Sequence, residues 1–222
     1  MKIDIRKAIL RSNDEQAEKN AKYFQDNELV VINVMASPGA GKTSIILALA
    51  EAFPRDCFFG VIEGDVASRV DADRVASQGI PVVQINTDGG CHLDAKMIED
   101  AMPKLNVRRK GFIFIENIGN LICPSEFDLG ETIRLVVASL PEGDDKPLKY
   151  PGIFTLADGI VINKTDLQSV MDFKKEAFLS GVRAVNDEAK IFEVSCRNKE
   201  GIKELASWLS SLSEKSAPNT RK

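Results

Sequence analysis

Eight consecutive residues, Ala36, Ser37, Pro38, Gly39, Ala40, Gly41, Lys42 and Thr43, join small side chains to one mobile cation and one hydroxyl. An apolar run over 29–35 precedes them, and Ile46, Leu49, Ala50 and Phe53 follow at helical spacing. Small residues between a strand and a helix let backbone N–H groups close around phosphate oxygens at the helix N-terminus. A lysine placed there supplies charge to the outer phosphates, and a threonine hydroxyl suits magnesium. Strand, loop, Lys-Thr and helix in this order form the phosphate-binding loop of nucleoside triphosphatases. Pro38, Gly39, Ala40, Gly41, Lys42, Thr43 and Ser44 are its candidate nucleotide-binding residues. The first motif position is Ala36 instead of Gly, the smallest substitution available.

A second apolar run, Gly159 to Ile162, leads into Asn163, Lys164, Thr165 and Asp166. A carboxylate at Asp166 can accept from the ring N–H and the exocyclic amine of guanine together. Adenine would leave that carboxylate facing a lone pair, and a buried mismatch is heavily penalised. Asn163 and the stem of Lys164 would brace the base and the neighbouring loops. The competing reading makes Asp166 the cap of a helix over 168–187. Ser195 and Cys196 follow the next apolar run, where a backbone amide could reach the guanine oxygen.

Two acidic strand ends supply candidates for magnesium, which takes oxygen ligands and keeps several waters. Glu63-Gly64-Asp65 ends one run, and Glu116-Asn117-Ile118-Gly119 ends another. Thr43 with Asp65 or Glu116 is the expected magnesium set, and Asp65 as a helix N-cap is the alternative. Gly119 would let a backbone N–H approach the terminal phosphate. Lys42, Asp65, Glu116 and Gly119 are therefore the candidate catalytic residues. Asn120, and not a glutamine, follows Gly119, so slow GTP turnover is expected.

The sole histidine, His92, lies beside Cys91 in a glycine-rich loop, and Cys123 follows the Glu116–Gly119 strand end. Thiolate and imidazole donors suit zinc or nickel. Three donors do not close a tetrahedron, so a second copy or an open transfer position is needed. Plain burial of the cysteines is the alternative on local chemistry alone.

These residues need a scaffold that brings distant loops together. Apolar, β-rich runs occur at 29–35, 58–63, 81–86, 112–116, 133–139, 160–163 and 190–194. Helical patterns fall at 42–53, 66–78, 94–105, 168–187 and 202–212. This alternation predicts an α/β fold, a mostly parallel sheet with helices on both faces and ligands beyond the carboxyl ends of its strands. Residues 1–28 read as an amphipathic helical extension, docked on its own domain or serving a partner. Residues 29–213 form the nucleotide-binding domain, 141–151 a surface loop and 214–222 a polar tail. The chain has 222 residues and a net charge of −4, which gives no general attraction to nucleic acid or to anionic membranes. Its apolar runs fall well short of the ~20 residues of a membrane span. No apolar signal-peptide core follows Met1, and Cys57, Cys91, Cys123 and Cys196 are spread along the chain. A cytoplasmic protein without disulfides is expected.

The order of these motifs resembles the hydrogenase maturation GTPases of the HypB family, P-loop proteins that assist nickel insertion. The resemblance runs from 29 to 212. It is carried by residues 37–43, 62–65, Gly-Gly-Cys-His-Leu at 89–93, Glu-Asn-Ile-Gly-Asn-Leu at 116–121, Cys-Pro at 123–124, Phe-Asp-Leu-Gly-Glu at 127–131, 142–151 and 163–166. It implies a GTP-dependent homodimer with a metal site at Cys91, His92 and Cys123, holding nickel or zinc. It also implies two partners, a small zinc-containing nickel chaperone of the HypA family and the hydrogenase large subunit. In the family, a lysine from the loop at 142–151 can approach the nucleotide of the other subunit; Lys146 and Lys149 stand there, with ordinary solvated charge as the alternative. The N-terminal cysteine motif and histidine-rich tract of some family members have no counterpart, since no cysteine precedes Cys57 and there is one histidine. Two rivals remain. The urease-type nickel-insertion GTPases share the architecture but typically carry Cys-Pro-His. A GTP-binding module with structural zinc would unfold when Cys91 is replaced.

Overall fold

A computed structural model describes residues 5–54, 56–107 and 110–213. The polar tail expected over 214–222 lies outside the described residues. Helix α1 (Ile5–Asp26) leads into β1 (Leu29–Ala36), α2 (Lys42–Ala52), β2 (Phe58–Asp65), α3 (Val70–Ala76) and β3 (Val82–Asn86). Then follow α4 (Ala95–Ala101), β4 (Gly111–Glu116), β5 (Ile133–Ser139), α5 (Lys146–Lys149) and α6 (Pro151–Thr155). The chain ends with β6 (Gly159–Asn163), α7 (Lys175–Arg183), β7 (Lys190–Val194) and α8 (Ile202–Ser213).

The seven strands form one sheet in the order β3-β2-β4-β1-β5-β6-β7, and every pairing is parallel. All strand carboxyl ends therefore share one edge. The period-two alternation of a strand sorts side chains between the faces. In β1, Val30, Ile32 and Val34 pack with Ile45, Ile46 and Leu49 of α2 and with Leu205 and Leu209 of α8. Val31 turns the other way, toward Phe24 of α1 and Ile98 of α4, and Met35 joins Phe154 of α6 and Phe178 of α7. Helices thus cover both faces, as the apolar periodicity predicts. Among the described residues, no helix is long and apolar enough to cross a membrane.

Three boundaries differ from the sequence expectation. Helix α3 starts at Val70, not at 66, because the Asp65 carboxylate accepts from Ala67 N and Ser68 N, each at 2.8 Å, and holds a turn there. Helix α7 starts at Lys175, well after 168, because residues 165–171 fold into consecutive turns. Residues 141–151 form no open loop: a 3-10 turn at Leu140–Glu142 and helix α5 order them, with Pro147 buried.

Candidate functional site

The phosphate loop sits where β1 meets α2. Gly39 (φ 78°) and Gly41 (φ 103°) adopt left-handed conformations that suit only glycine without strain. A Cβ on Gly41 would lie 2.4 Å from Asn163 Nδ2. That proximity is used: Asn163 Nδ2 donates to Ala40 O at 2.9 Å, and Lys164 Nζ donates to Gly39 O at 2.7 Å. Two residues at the end of β6 therefore lace the loop from outside. The N-cap residue of α2 is Gly41, which has no side chain to cap the helix, and uncapped first-turn N–H groups suit an anionic ligand.

The base side gathers next to it. Asp166 Oδ1 accepts from Ser195 Oγ at 2.7 Å, and the Cys196 thiol points at Asn163 Oδ1 from 3.7 Å. Asp166 lies in a 3-10 turn well before Lys175, so it does not cap α7. Burial pushes the Cys196 thiol up to about 11, with the nearby Asp166 charge adding to it. Cys196 is thus a neutral packing and hydrogen-bonding group at neutral pH.

The cation corner lies on the other side of Lys42. Thr43 Oγ1 donates to Glu116 Oε1 at 2.8 Å. Glu63 stands directly beside Glu116 in the β2–β4 register. The second carboxyl oxygen of each is buried and has no hydrogen-bond partner among the described residues. Burial pushes Glu63 up to about 8, with the Glu116 charge adding to it. Burial also pushes Glu116 up to about 7, against the pull of Lys42 and the Thr43 hydrogen bond. Two buried, adjacent, under-coordinated carboxyls are a donor set in want of a hard cation. Asp65 belongs to the same corner but spends one oxygen on the turn after β2. Gly119 comes up against the phosphate loop: a Cβ there would lie 3.0 Å from Pro38 Cγ.

Two residues absent from the sequence candidates appear here. Glu63 is one; a carboxylate inside an otherwise apolar strand, two places before Asp65 and so on its face, was the available signal. Arg74 of α3 is the other, with its guanidinium 3.4 Å from Ser44 Oγ. Nothing in its local pattern marks it.

The metal-type donors form a separate cluster. The ligand atoms of Cys91, His92 and Cys123 all lie within 4.8 Å of one another, and Cys91 Sγ is 3.6 Å from His92 Nδ1. Cys91 is exposed, whereas His92 and Cys123 are half-buried. All four cysteines are free thiols. The first two donors follow a turn closed by Gly90 N to Thr87 O at 3.0 Å; Cys123 opens the 3-10 turn Cys123–Glu126. The His92 ring stacks on Phe127 with centroids 3.7 Å apart. A hydrogen bond shared with Cys123, and then burial, hold the Cys91 thiol above its ordinary value. Burial pushes His92 down, toward the neutral imidazole that ligates metals. Metal binding here must displace thiol protons.

Hydrogen bonds join the two clusters. Asn117 Oδ1, fully buried, accepts from Leu93 N at 3.2 Å and from Ile118 N at 2.9 Å, while its Nδ2 donates to Asn33 Oδ1 at 3.1 Å. Asn120 Nδ2 donates to Cys91 O at 3.3 Å. The Glu116–Asn120 segment thus touches the phosphate loop and the start of α2 through Gly119 and Glu116 and holds the Cys91–Leu93 backbone through Asn117 and Asn120. Lys149 pairs with Asp145, and Lys146 Nζ lies 5.4 Å from the Tyr150 ring, so both lysines of the 142–151 segment engage neighbours within the chain.

Residues 30–193 match the family described as the CobW/HypB/UreG nucleotide-binding domain. The hydrogenase maturation factor HypB of Azotobacter vinelandii is 44% identical over 207 residues, which span 93% of this chain and 68% of that protein. The chain belongs to the HypB family. A second relative, the hydrogenase/urease maturation factor HypB of Helicobacter pylori strain 26695, is 37% identical over 93% of this chain and 86% of its own length. The crystal structure of HypB from Helicobacter pylori in complex with nickel superposes with a TM-score of 0.88, at 35% identity, over 95% of this chain and 99% of that one. The HypB fold therefore accounts for the whole seven-stranded sheet.

Proposed function

We propose that this chain is a GTP-hydrolysing metallochaperone that couples GTP binding and hydrolysis to nickel delivery during maturation of nickel–iron hydrogenase. The observation that carries the reading is the Asn117–Asn120 link. It ties the backbone of Cys91–Leu93 to the strand end that abuts the phosphate loop. In this reading Pro38 to Ser44 cradle the phosphates, Lys42 neutralises the outer ones, and Asn163, Lys164, Asp166, Ser195 and Cys196 form the guanine pocket.

Thr43, Glu116 and Glu63 would hold magnesium, with Asp65 acting through water; the orphaned carboxyl oxygens support that fit. Bound there, the ion supplies charge neutralisation to the phosphoryl group. Gly119 offers its N–H to the terminal phosphate, so nucleotide state shifts the 116–120 segment. Asn117 and Asn120 pass that shift to Cys91 and His92. Nickel is the cargo, held by Cys91, His92 and Cys123 with one position open for exchange or for a second copy. A homodimer, a small nickel chaperone of the HypA family and the hydrogenase large subunit are the partners of this reading. The dual naming of the Helicobacter pylori relative favours urease as a second client.

Nickel titration of wild type and Cys91→Ala, with GDP and with a GTP analogue, tests the proposal when mass measurement accompanies it. Expected are nickel binding that depends on nucleotide, and its loss in Cys91→Ala with the fold intact. Equal nickel affinity in both nucleotide states, together with dimerisation indifferent to nucleotide, would overturn the coupling. Unfolding of Cys91→Ala would point instead to structural zinc.

A further inference from the structure

The inner face of α1 carries two asparagines where a helix docked only by the hydrophobic effect would carry apolar residues. Asn13, Ala17, Asn20 and Phe24 form one buried stripe at helical spacing. Burying two amides costs free energy unless their donors and acceptors are met. Gln16 Nε2 donates to Asn20 Oδ1 at 3.0 Å, and the remaining amide groups are met by the backbone on both sides of the metal-type cluster. Asn13 Oδ1 accepts from Ala95 N at 2.9 Å, and Asn20 Nδ2 donates to Ala95 O at 2.8 Å. On the other side, Asn13 Nδ2 donates to Asp128 O at 2.8 Å, and Asn20 Nδ2 also reaches Leu129 O at 3.1 Å.

Ala95 lies three residues after His92, and Asp128 follows Phe127, the ring stacked on His92. Each asparagine therefore spans the same gap as the donor set, between the segment that bears Cys91 and His92 and the segment that bears Cys123. The fit against α1 is backbone to backbone: a Cβ on Gly130 would lie 2.4 Å from Ala17 O. On the side away from the helix, Arg134 pairs with Asp128 at 3.0 Å and with Glu131, which fixes the 128–131 backbone to β5.

We propose that Asn13 and Asn20 are positioning residues for the metal site: α1 is a brace that holds the two donor segments at ligating distance. The proposal rests on the reading of Cys91, His92 and Cys123 as a metal site. By linkage, a metal ion that draws the two segments together also tightens α1.

The test is nickel titration of the full chain, followed by thiolate-to-nickel charge-transfer absorption, in wild type, Asn13→Asp, Asn13→Ser, Glu18→Ala and Cys91→Ala. GDP affinity is measured on each. Asn13→Asp keeps the acceptor for Ala95 N but sets a carboxylate oxygen against Asp128 O, which severs only the link to the Cys123 side. The Asn13 variants are expected to bind nickel about 10- to 100-fold more weakly, with a shifted charge-transfer band and GDP affinity as in wild type. Glu18 is exposed on the opposite face of α1, and Glu18→Ala is expected to match wild type. Wild-type nickel affinity and band in an Asn13 variant overturn the brace, as does equal weakening in Glu18→Ala. Wild-type nickel binding in Cys91→Ala overturns the metal-site reading instead. Hydrogen exchange on the wild type supplies a readout that needs no variant. Nickel is expected to slow exchange in α1 around Asn13 as well as at 92–95, and unchanged exchange in α1 overturns the proposal.

Discussion

The nucleotide end and the metal-type end lie along the same sheet edge but are built on opposite terms. At the nucleotide end, the candidate groups sit on strand ends and helix starts and brace one another: Asn163 on Ala40, Lys164 on Gly39, Thr43 on Glu116. At the metal-type end, the donors stand on turns, and the exposed Cys91 has little of its own to hold it. Its order is borrowed from Asn117, from Asn120 and from the asparagines of α1. A site fixed by regular elements keeps its geometry, whereas a site fixed by borrowed hydrogen bonds follows whatever moves the lender. Under the proposed function, the contrast suits one end that reads a nucleotide and another that takes and releases an ion.

Breaking the nucleotide end should leave the metal-type end standing. Asp166→Asn replaces the proposed acceptor for guanine by a donor; GTP affinity is expected to fall on the order of 100-fold, with nickel affinity unchanged. Fluorescent-nucleotide and nickel titrations on the same preparation check both halves. Parallel loss of nickel binding would mean that the two ends are not separable.

The link itself is the next point to cut. Asn117→Ala leaves Leu93 N and Ile118 N without their acceptor, at a stability cost of about 1–3 kcal/mol. Any difference in nickel affinity between GDP and GTP-analogue states is expected to shrink by about fivefold or more in this variant. An undiminished difference would show that the signal travels by another route.

The remaining test concerns the cation corner. Glu63 is pushed from 4.5 up to about 8, so its contribution to stability is present below about pH 4.5 and is lost as pH rises toward 8. With nucleotide removed and a chelator present, the melting temperature is expected to decline between pH 5 and 8. Glu63→Gln is expected to reduce that decline, with Glu116 carrying the remainder, and an equal slope in the variant would place the titrating group elsewhere.

The legibility of the two ends in the sequence also differs. The phosphate loop and the Asn163–Asp166 motif are local: each needs only a few residues in a row after an apolar run, and those runs mark all seven strands. The clustering of Cys91, His92 and Cys123 could be suspected from donor chemistry, but not its supports. Asn13 and Asn20 look like ordinary polar positions on a polar helix until Ala95 and Asp128 are seen beneath them. Glu63 gains its meaning only from Glu116, its register partner on a strand far along the chain. The start of α3 was hidden because Asp65 spends its carboxylate on the turn before the helix and delays the helix by four residues relative to 66.

Gly119 lies so near Pro38 that a single methyl group would crowd it. The two segments have about a methyl's room between them. Under the proposed coupling, a message from the phosphates has more room to push the 116–120 segment away or slide it sideways than to draw it closer. Under the proposed coupling the chain would work like a feeler gauge whose clearance is set by one missing methyl.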